Sequence, residues 1–208
     1  MKHVAESTVR RLSLYLRFLE EFETQGHQTI SSGELAAQGG TTSAQVRKDL
    51  SFFGSFGKRG LGYSVGDLSN SLRGILGLGR EWNVIIVGAG KIGAALAQYR
   101  GFRERGFKVS AVYDADPARI GRTLGGVTVR DQTELEADIS RLKPDIALLA
   151  VPPEAAQPLV DRVVNAGIRA ILNFAPAPIH VPPHVTLRSV NMAFELEILS
   201  YALVHADG

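Results

Sequence analysis

Between Ser7 and about Gln25, the apolar residues Leu12, Tyr15, Leu16, Leu19 and Phe22 recur at helical spacing, with Arg10, Arg11 and Arg17 early and Glu20, Glu21 and Glu23 late. An apolar stripe on a charged cylinder predicts an amphipathic helix, ended by Gly26. Ser31 and Glu34 stand at capping-box spacing and predict a short helix through Leu35, Ala36 and Ala37, stopped by Gly39-Gly40. Thr42 and Gln45 repeat that spacing before a third helix, Ser43 to about Phe52, with Val46 and Leu50 inward and Gln45, Arg47, Lys48 and Ser51 on polar faces. Three helices, the last two joined by a tight glycine turn, form a helix-turn-helix pattern. In FFGSFGKRGLGYSV, Gly54, Gly57, Gly60 and Gly62 alternate with aromatics and bracket Lys58-Arg59, so this segment reads as a tightly bent hairpin with a basic tip, a wing. A further helix, Asp67 to Leu76, follows.

The pattern changes near residue 80. VIIV (84–87), KVSAVY (108–113), GVTV (126–129), DIALLAV (145–151), RAILN (169–173) and VTLRSV (185–190) are continuous aliphatic runs. Helical intervals Lys91 to Gln98, Thr133 to Arg141 and Glu154 to Asn165 lie between several of them. Apolar strands alternating with helices predict an α/β domain, a doubly wound parallel sheet of Rossmann type covered on both faces. The expected organisation is therefore a winged helix-turn-helix DNA-binding domain over 1–80, a Rossmann domain over 81–190 and a last helix over 191–208. Between Met192 and Val204 only Glu195, Glu197 and Ser200 are polar, more apolar surface than one domain face covers, which predicts a homodimer formed through this helix.

Composition narrows the class. Forty-five per cent hydrophobic and 21% charged residues over 208 positions describe a globular chain able to build two cores. No apolar run approaches the roughly 18 residues of a membrane span, so no membrane association is expected and the cytoplasm is the expected compartment. Zero cysteines exclude disulfides, thiolate metal sites and thiol redox sensing. The net charge of +2 is uneven: residues 1–80 hold 10 Lys and Arg against 7 Asp and Glu, net +3, and the remainder 13 against 14, net −1. Position gives the small basic excess meaning. Gln45, Arg47, Lys48 and Ser51 on the third helix are donor types suited to base edges and phosphates, and Lys58-Arg59 suit a minor groove or the backbone; the bland alternative is a solvated charged helix and a structural hairpin.

The strand Val84–Val87 runs directly into Gly88-Ala89-Gly90-Lys91-Ile92-Gly93 and a helix, and Asp114 ends the next strand. In that context the glycine pattern is a dinucleotide fingerprint: Gly88 for the turn, Gly90 for close approach of a pyrophosphate, Gly93 for helix packing. Asp114 would accept the adenosine ribose hydroxyls and repel a 2′-phosphate, favouring NADH and NAD+ over their phosphorylated counterparts. Val151 and Pro152, in Ala150-Val151-Pro152-Pro153 closing the fourth strand, read equally as helix initiation and as a wall for the nicotinamide half. Catalytic candidates are few. His180 and His184 lie in the loop APIHVPPHV without a nearby carboxylate, and Pro182-Pro183 forbid a helix that would align them on a metal. No catalytic residue and no metal are expected. An NAD-dependent oxidoreductase with an accessory helical domain is the alternative.

The stretch VRKDLSFFGSFGKRGLGYSV, followed by VGAGKIGAALAQY and ILNFAPAPI, resembles the Rex family of redox-sensing transcriptional repressors in the family's order. The resemblance implies a homodimer with a C-terminal domain-swapped helix that binds a double-stranded, palindromic DNA operator when NAD+ predominates and leaves it when NADH binds. It places recognition-helix residues on Gln45, Arg47 and Lys48, the wing on Lys58, Arg59 and Gly60, and cofactor residues on Gly88, Gly90, Gly93, Tyr99 and Asp114. It also implies a switch set of Arg17, Tyr99 and position 191. The chain departs from the family at Lys91, often Arg in relatives, and at Asn191, usually Asp.

Overall fold

Leu12, Tyr15, Leu16 and Leu19 share one face of helix α1 (Glu6–Thr24) and are almost entirely removed from solvent. In this computed structural model, residues 4–57 and 60–205 are described; they divide between Arg80 and Glu81 into two units. In the first, α1 is followed by β1 (Thr29–Ile30), α2 (Ser32–Gln38), α3 (Ser43–Ser51), β2 (Tyr63–Ser64) and α4 (Val65–Ile75). Leu35 of α2, Val46 and Leu50 of α3, and Leu68 and Leu72 of α4 close on the α1 stripe to make one core. Each such leucine, fully buried, contributes about 2 kcal/mol of transfer free energy.

The caps of the helix-turn-helix differ. At α2 the box closes both ways: Ser31 Oγ accepts the Glu34 N–H at 3.2 Å, and a Glu34 carboxylate oxygen accepts the Ser31 N–H at 2.8 Å. At α3 only half of it forms. Thr42 Oγ1 accepts the Gln45 N–H at 3.1 Å, but the Gln45 side chain reaches forward, not back, donating to Asp49 at 2.8 Å.

The wing also departs from a simple hairpin. Its one strand among the described residues, β2, pairs antiparallel with β1, so the ladder joins two segments separated by both helices of the motif instead of the two arms of the glycine segment. The segment still folds back on itself: a Cβ at Gly57, where φ is +82°, would lie 2.5 Å from the Gly62 carbonyl oxygen. Lys58 and Arg59 fall outside the described residues.

The second unit runs β3 (Trp82–Val87), α5 (Lys91–Ala97), α6 (Arg100–Glu104), β4 (Phe107–Asp114), β5 (Thr123–Leu124), β6 (Val127–Asp131), α7 (Leu135–Leu142), β7 (Ile146–Leu149), α8 (Pro153–Asn165), β8 (Ala170–Asn173), β9 (Thr186–Ser189) and α9 (Met192–Val204). The sheet order is β5-β6-β4-β3-β7-β8-β9, parallel throughout except for β5, a two-residue edge strand antiparallel to β6. The short β5 and α6 are absent from the sequence pattern because neither is long enough to show a period. Alternation along β3 places Ile85 and Val87 in one core, with α7 and α8, and Val84 and Ile86 in another on the opposite face. This is why the strands read as unbroken apolar runs.

Strand order reverses at β3: the chain proceeds outward through β4 and β6, then returns to lay β7 against the other side of β3. The carboxyl ends of β3 and β7 therefore border a crevice with no connection crossing it, where ligands of such sheets bind. The last helix, α9, has no buried residue, and Phe194, Leu196, Ile198, Tyr201 and Leu203 are between 59% and 78% exposed.

Candidate functional site

The loop from β3 to α5 starts at the crevice, and its glycines answer to different constraints. Gly88 has φ of +101°, and a Cβ there would meet the Ala150 carbonyl oxygen at 2.3 Å and Val151 Cγ1 at 2.9 Å, so both backbone conformation and the neighbouring β7 end require glycine. A Cβ at Gly93 would fall 1.7 Å from the Gly88 carbonyl oxygen, because α5 begins packed directly against the turn. Gly90 is different: its φ of −67° suits any residue, and the nearest atom to an added Cβ is Arg119 Nη1 at 3.9 Å. Nothing among the described residues demands glycine at that position. The space a side chain would fill is a cradle open to a ligand, and a pyrophosphate that must approach backbone N–H groups fits it.

Asp114, at the end of β4, sits behind this loop. Its Oδ2 accepts the Ala89 N–H at 2.6 Å and an Arg119 N–H at 3.1 Å, and its Oδ1 accepts the Asp116 N–H at 2.8 Å. Burial pushes its carboxyl up, yet the two backbone donors and the Arg119 guanidinium outweigh burial and hold it below the usual carboxylate range. It is ionised at neutral pH and retains acceptor capacity on Oδ1. Lys91 and Ile92 are exposed at the start of α5, Val151 is half-buried, and Pro152 caps α8 beside the crevice. Tyr99 opens α6, 61% exposed, its ring edge-to-face with Phe102 at 5.1 Å. Arg119 belongs to no motif of the sequence, and its one local signal is the spacing of three from Asp116, with which it pairs at 3.4 Å.

Asn173 ends β8 fully buried and shapes the adjoining loop: its Oδ1 accepts the Ala175 N–H at 2.9 Å and its Nδ2 donates to the Ala175 carbonyl at 3.0 Å. In the loop beyond, the His180 backbone N–H donates to Gln157 Oε1 of α8 at 2.8 Å and its carbonyl accepts from Gln157 Nε2 at 3.0 Å. His180 and His184 are exposed, and among the described residues no three His, Asp or Glu groups gather as a metal site. Nor is any helix among those residues long and apolar enough to cross a membrane.

In the first unit, the α3 residues separate into two sets. Lys48 and Ser51 are exposed, and so is Arg47, which donates to Ser32 Oγ at 2.9 Å across the motif. Ser51 Oγ donates back to the Lys48 carbonyl at 2.7 Å. Gln45 instead joins the side chains around Asp49, a fully buried carboxylate on the inner face of α3. Gly60 is exposed with φ of +86°. Arg17 lies exposed on α1, 3.8 Å from Glu21, and Asn191 caps α9, its Oδ1 accepting the Ala193 N–H at 3.0 Å.

Two family models match: a CoA-binding domain over residues 79–177, and the N-terminus of a putative DNA-binding protein over residues 3–51. The chain is similar to the redox-sensing transcriptional repressor Rex of Desulfitobacterium hafniense, 46% identical over 198 residues, covering 95% of this chain and 94% of that protein. With the Rex of Syntrophomonas wolfei it shares 47% identity over 200 residues, 96% of this chain and 95% of the relative. Among solved structures it is similar to RSP, a Rex-family repressor, in complex with β-NAD+ and operator DNA: TM-score 0.94, 40% identity, 100% of this chain and 95% of that one. For RSP in complex with β-NADH the values are 0.91, 39%, 100% and 97%.

Proposed function

As the chain belongs to the Rex family of redox-sensing transcriptional repressors, we propose that it is a repressor that binds a palindromic operator when NAD+ predominates and is released by NADH. The observation that carries this reading is the cradle at Gly90, a glycine that no atom of the described residues requires, between a buried ionised Asp114 and the switch point of the sheet. The relatives supply the rest: RSP is found with β-NAD+ and operator DNA, and with β-NADH.

Residues 88–93 hold the pyrophosphate, Asp114 the adenosine ribose, and Val151 and Pro152 border the nicotinamide half. Arg47, Lys48 and Ser51, with Lys58, Arg59 and Gly60 of the wing, contact DNA; Gln45 does so only when its amide leaves Asp49. The two redox forms differ by a hydride and one positive charge on the nicotinamide, and only a difference in their affinity for two arrangements of the protein can move it between them. Arg17, Tyr99 and Asn191 are the residues assigned to that coupling. The protein does no chemistry on the cofactor, and its compartment is the cytoplasm.

Dimerisation through α9 completes the arrangement. Its apolar side chains surround the helix, and a second copy covers what one chain leaves exposed. Two winged helices on a two-fold axis then read two half-sites. Light scattering at micromolar concentration checks the dimer, and a stable monomer removes it.

The central test is operator binding titrated with NADH and separately with NAD+. Release by NADH at concentrations where NAD+ maintains the complex is the expected result. NADH turnover with a substrate, lost on His180→Ala, would establish the oxidoreductase instead.

A further inference from the structure

A lone carboxylate at the end of the second strand of a dinucleotide fold accepts the ribose hydroxyls and repels a phosphate on them. Here the carboxylate is not alone. Arg119 Nη1 donates to Asp114 Oδ2 at 3.1 Å while its Nε lies 3.4 Å from Asp116 Oδ2. Asp114 Oδ2 also accepts the Ala89 N–H at 2.6 Å, so both its lone pairs are used; Oδ1 accepts the Asp116 N–H at 2.8 Å and keeps one. One ribose hydroxyl can be received as the groups stand. Both hydroxyls of a vicinal diol can be received only if Arg119 lets go.

The guanidinium stands at the side of a cavity of about 290 Å³ whose lining includes Gly90, Lys91, Arg119, Arg122, Leu124 and Val129. Three cations thus border it, against two carboxylates in the Asp114–Arg119–Asp116 cluster. Leu124 and Val129 supply apolar wall. A fork of N–H donors beside a ribose site is the feature that receives a 2′-phosphate in folds of this kind.

Resting on the reading that the crevice binds a nicotinamide dinucleotide, we propose that Arg119 is a specificity-determining residue: a latent ligand for a 2′-phosphate, held by Asp114, so that the pair and not Asp114 alone sets the preference for NADH over NADPH. Removing the Asp114 charge leaves the guanidinium only its longer contact with the partly exposed Asp116, and so available to a phosphate; removing the guanidinium leaves the phosphate without its partner.

The test is a double-mutant cycle on the full-length protein, with NADH and NADPH each titrated by calorimetry into the parent, Asp114→Asn, Arg119→Ala and the double variant. Asp114→Asn should improve NADPH affinity relative to NADH by about tenfold, the scale of one charge-assisted hydrogen bond, and the double variant should lose that gain. An equal gain in the double variant, or none in an Asp114→Asn protein that still binds NADH, overturns the proposal. If Asp114→Asn does not fold, Asp114→Ser serves, alone and with Arg119→Ala: the gain for NADPH over NADH of about tenfold should appear in the single variant and be lost in the double one, and an equal gain in both overturns the proposal. Failure of the parent to bind either nucleotide is a different result, the collapse of the dinucleotide reading itself.

Discussion

Arg11 of α1 holds Asp49 of α3 with two bonds, Nε to Oδ2 at 2.6 Å and Nη2 to Oδ1 at 2.8 Å, across 38 residues of sequence. Tyr15 donates to the same carboxylate at 3.0 Å and Gln45 at 2.8 Å, so a single buried anion fixes the helix proposed to face DNA onto the first helix of its unit. Burial first, and then the bond to Asp49, push the Tyr15 hydroxyl up to about 12, so it remains a donor at any working pH.

Asp49→Asn should cost about 2–4 kcal/mol of stability, measured by denaturant unfolding, because Arg11 loses its charged partner in a site with little water. The cost depends on pH. Burial raises the Asp49 carboxyl, but the bonds from Arg11, Gln45 and Tyr15 lower it further, leaving a net depressed value in the folded state. A depressed folded value gives stability that is full above the unfolded value of about 3.9 and is lost as pH falls through the folded one. The gap between parent and variant should therefore be constant from about pH 7 to about pH 5 and close below about pH 4. A gap that closes as pH rises would contradict the assignment.

Lys58→Ala and Arg59→Ala should each weaken operator binding and flatten its salt dependence, lowering the log-log slope by roughly one per lost phosphate contact. Arg47→Ala should do the same if Arg47 grips phosphate, and relax base preference if it reads guanine. Binding by the wing double variant that equals the parent at every salt concentration removes the wing from the interface.

Gly90→Val should abolish NADH binding while leaving the fold intact. The backbone there suits a side chain and the nearest protein atom is 3.9 Å from an added Cβ, so a branched residue costs the protein little and blocks only the ligand. The thermal midpoint should stay within a few degrees, about 1 kcal/mol. Undiminished NADH binding by calorimetry would contradict the fingerprint.

At position 191 the family resemblance leads one to expect an acid, and this chain has an amide. Asn191 caps α9 through the Ala193 N–H, a role an aspartate fills equally well. Asn191→Asp should therefore leave the helix intact and strengthen operator binding in the apo or NAD+ form, because a carboxylate offers an arginine a charge-assisted bond that an amide does not. Arg17→Ala should weaken it without a comparable change in NADH affinity. If Asn191→Asp alters neither operator affinity nor the NADH concentration for release, position 191 lies outside the switch.

Local spacing determined much of this molecule. The apolar stripe of α1, the reciprocal Ser31–Glu34 box and the six aliphatic runs that became the parallel strands are readable because helix and strand periods and cap geometry connect residues a few positions apart. Gly93 carries its constraint in the chain for the same reason, since an added Cβ there would meet the Gly88 carbonyl five residues back, whereas Gly88 also answers to Ala150 and Val151 across the sheet. What the tertiary structure decided was which polar group meets which across long intervals. Gln45 stands four residues before Asp49, a helical spacing the chain shows, but nothing in the sequence says that Arg11 and Tyr15 converge on the same carboxylate from another helix. The wing strand found its partner at Thr29–Ile30, beyond two helices, because the free edge nearest in space is not the nearest in sequence. Arg119 likewise became a partner of Asp114 only when the turn after β4 folded back. Periodicity encodes burial, which every apolar residue shares; partner choice depends on distances that exist only once the packing is complete.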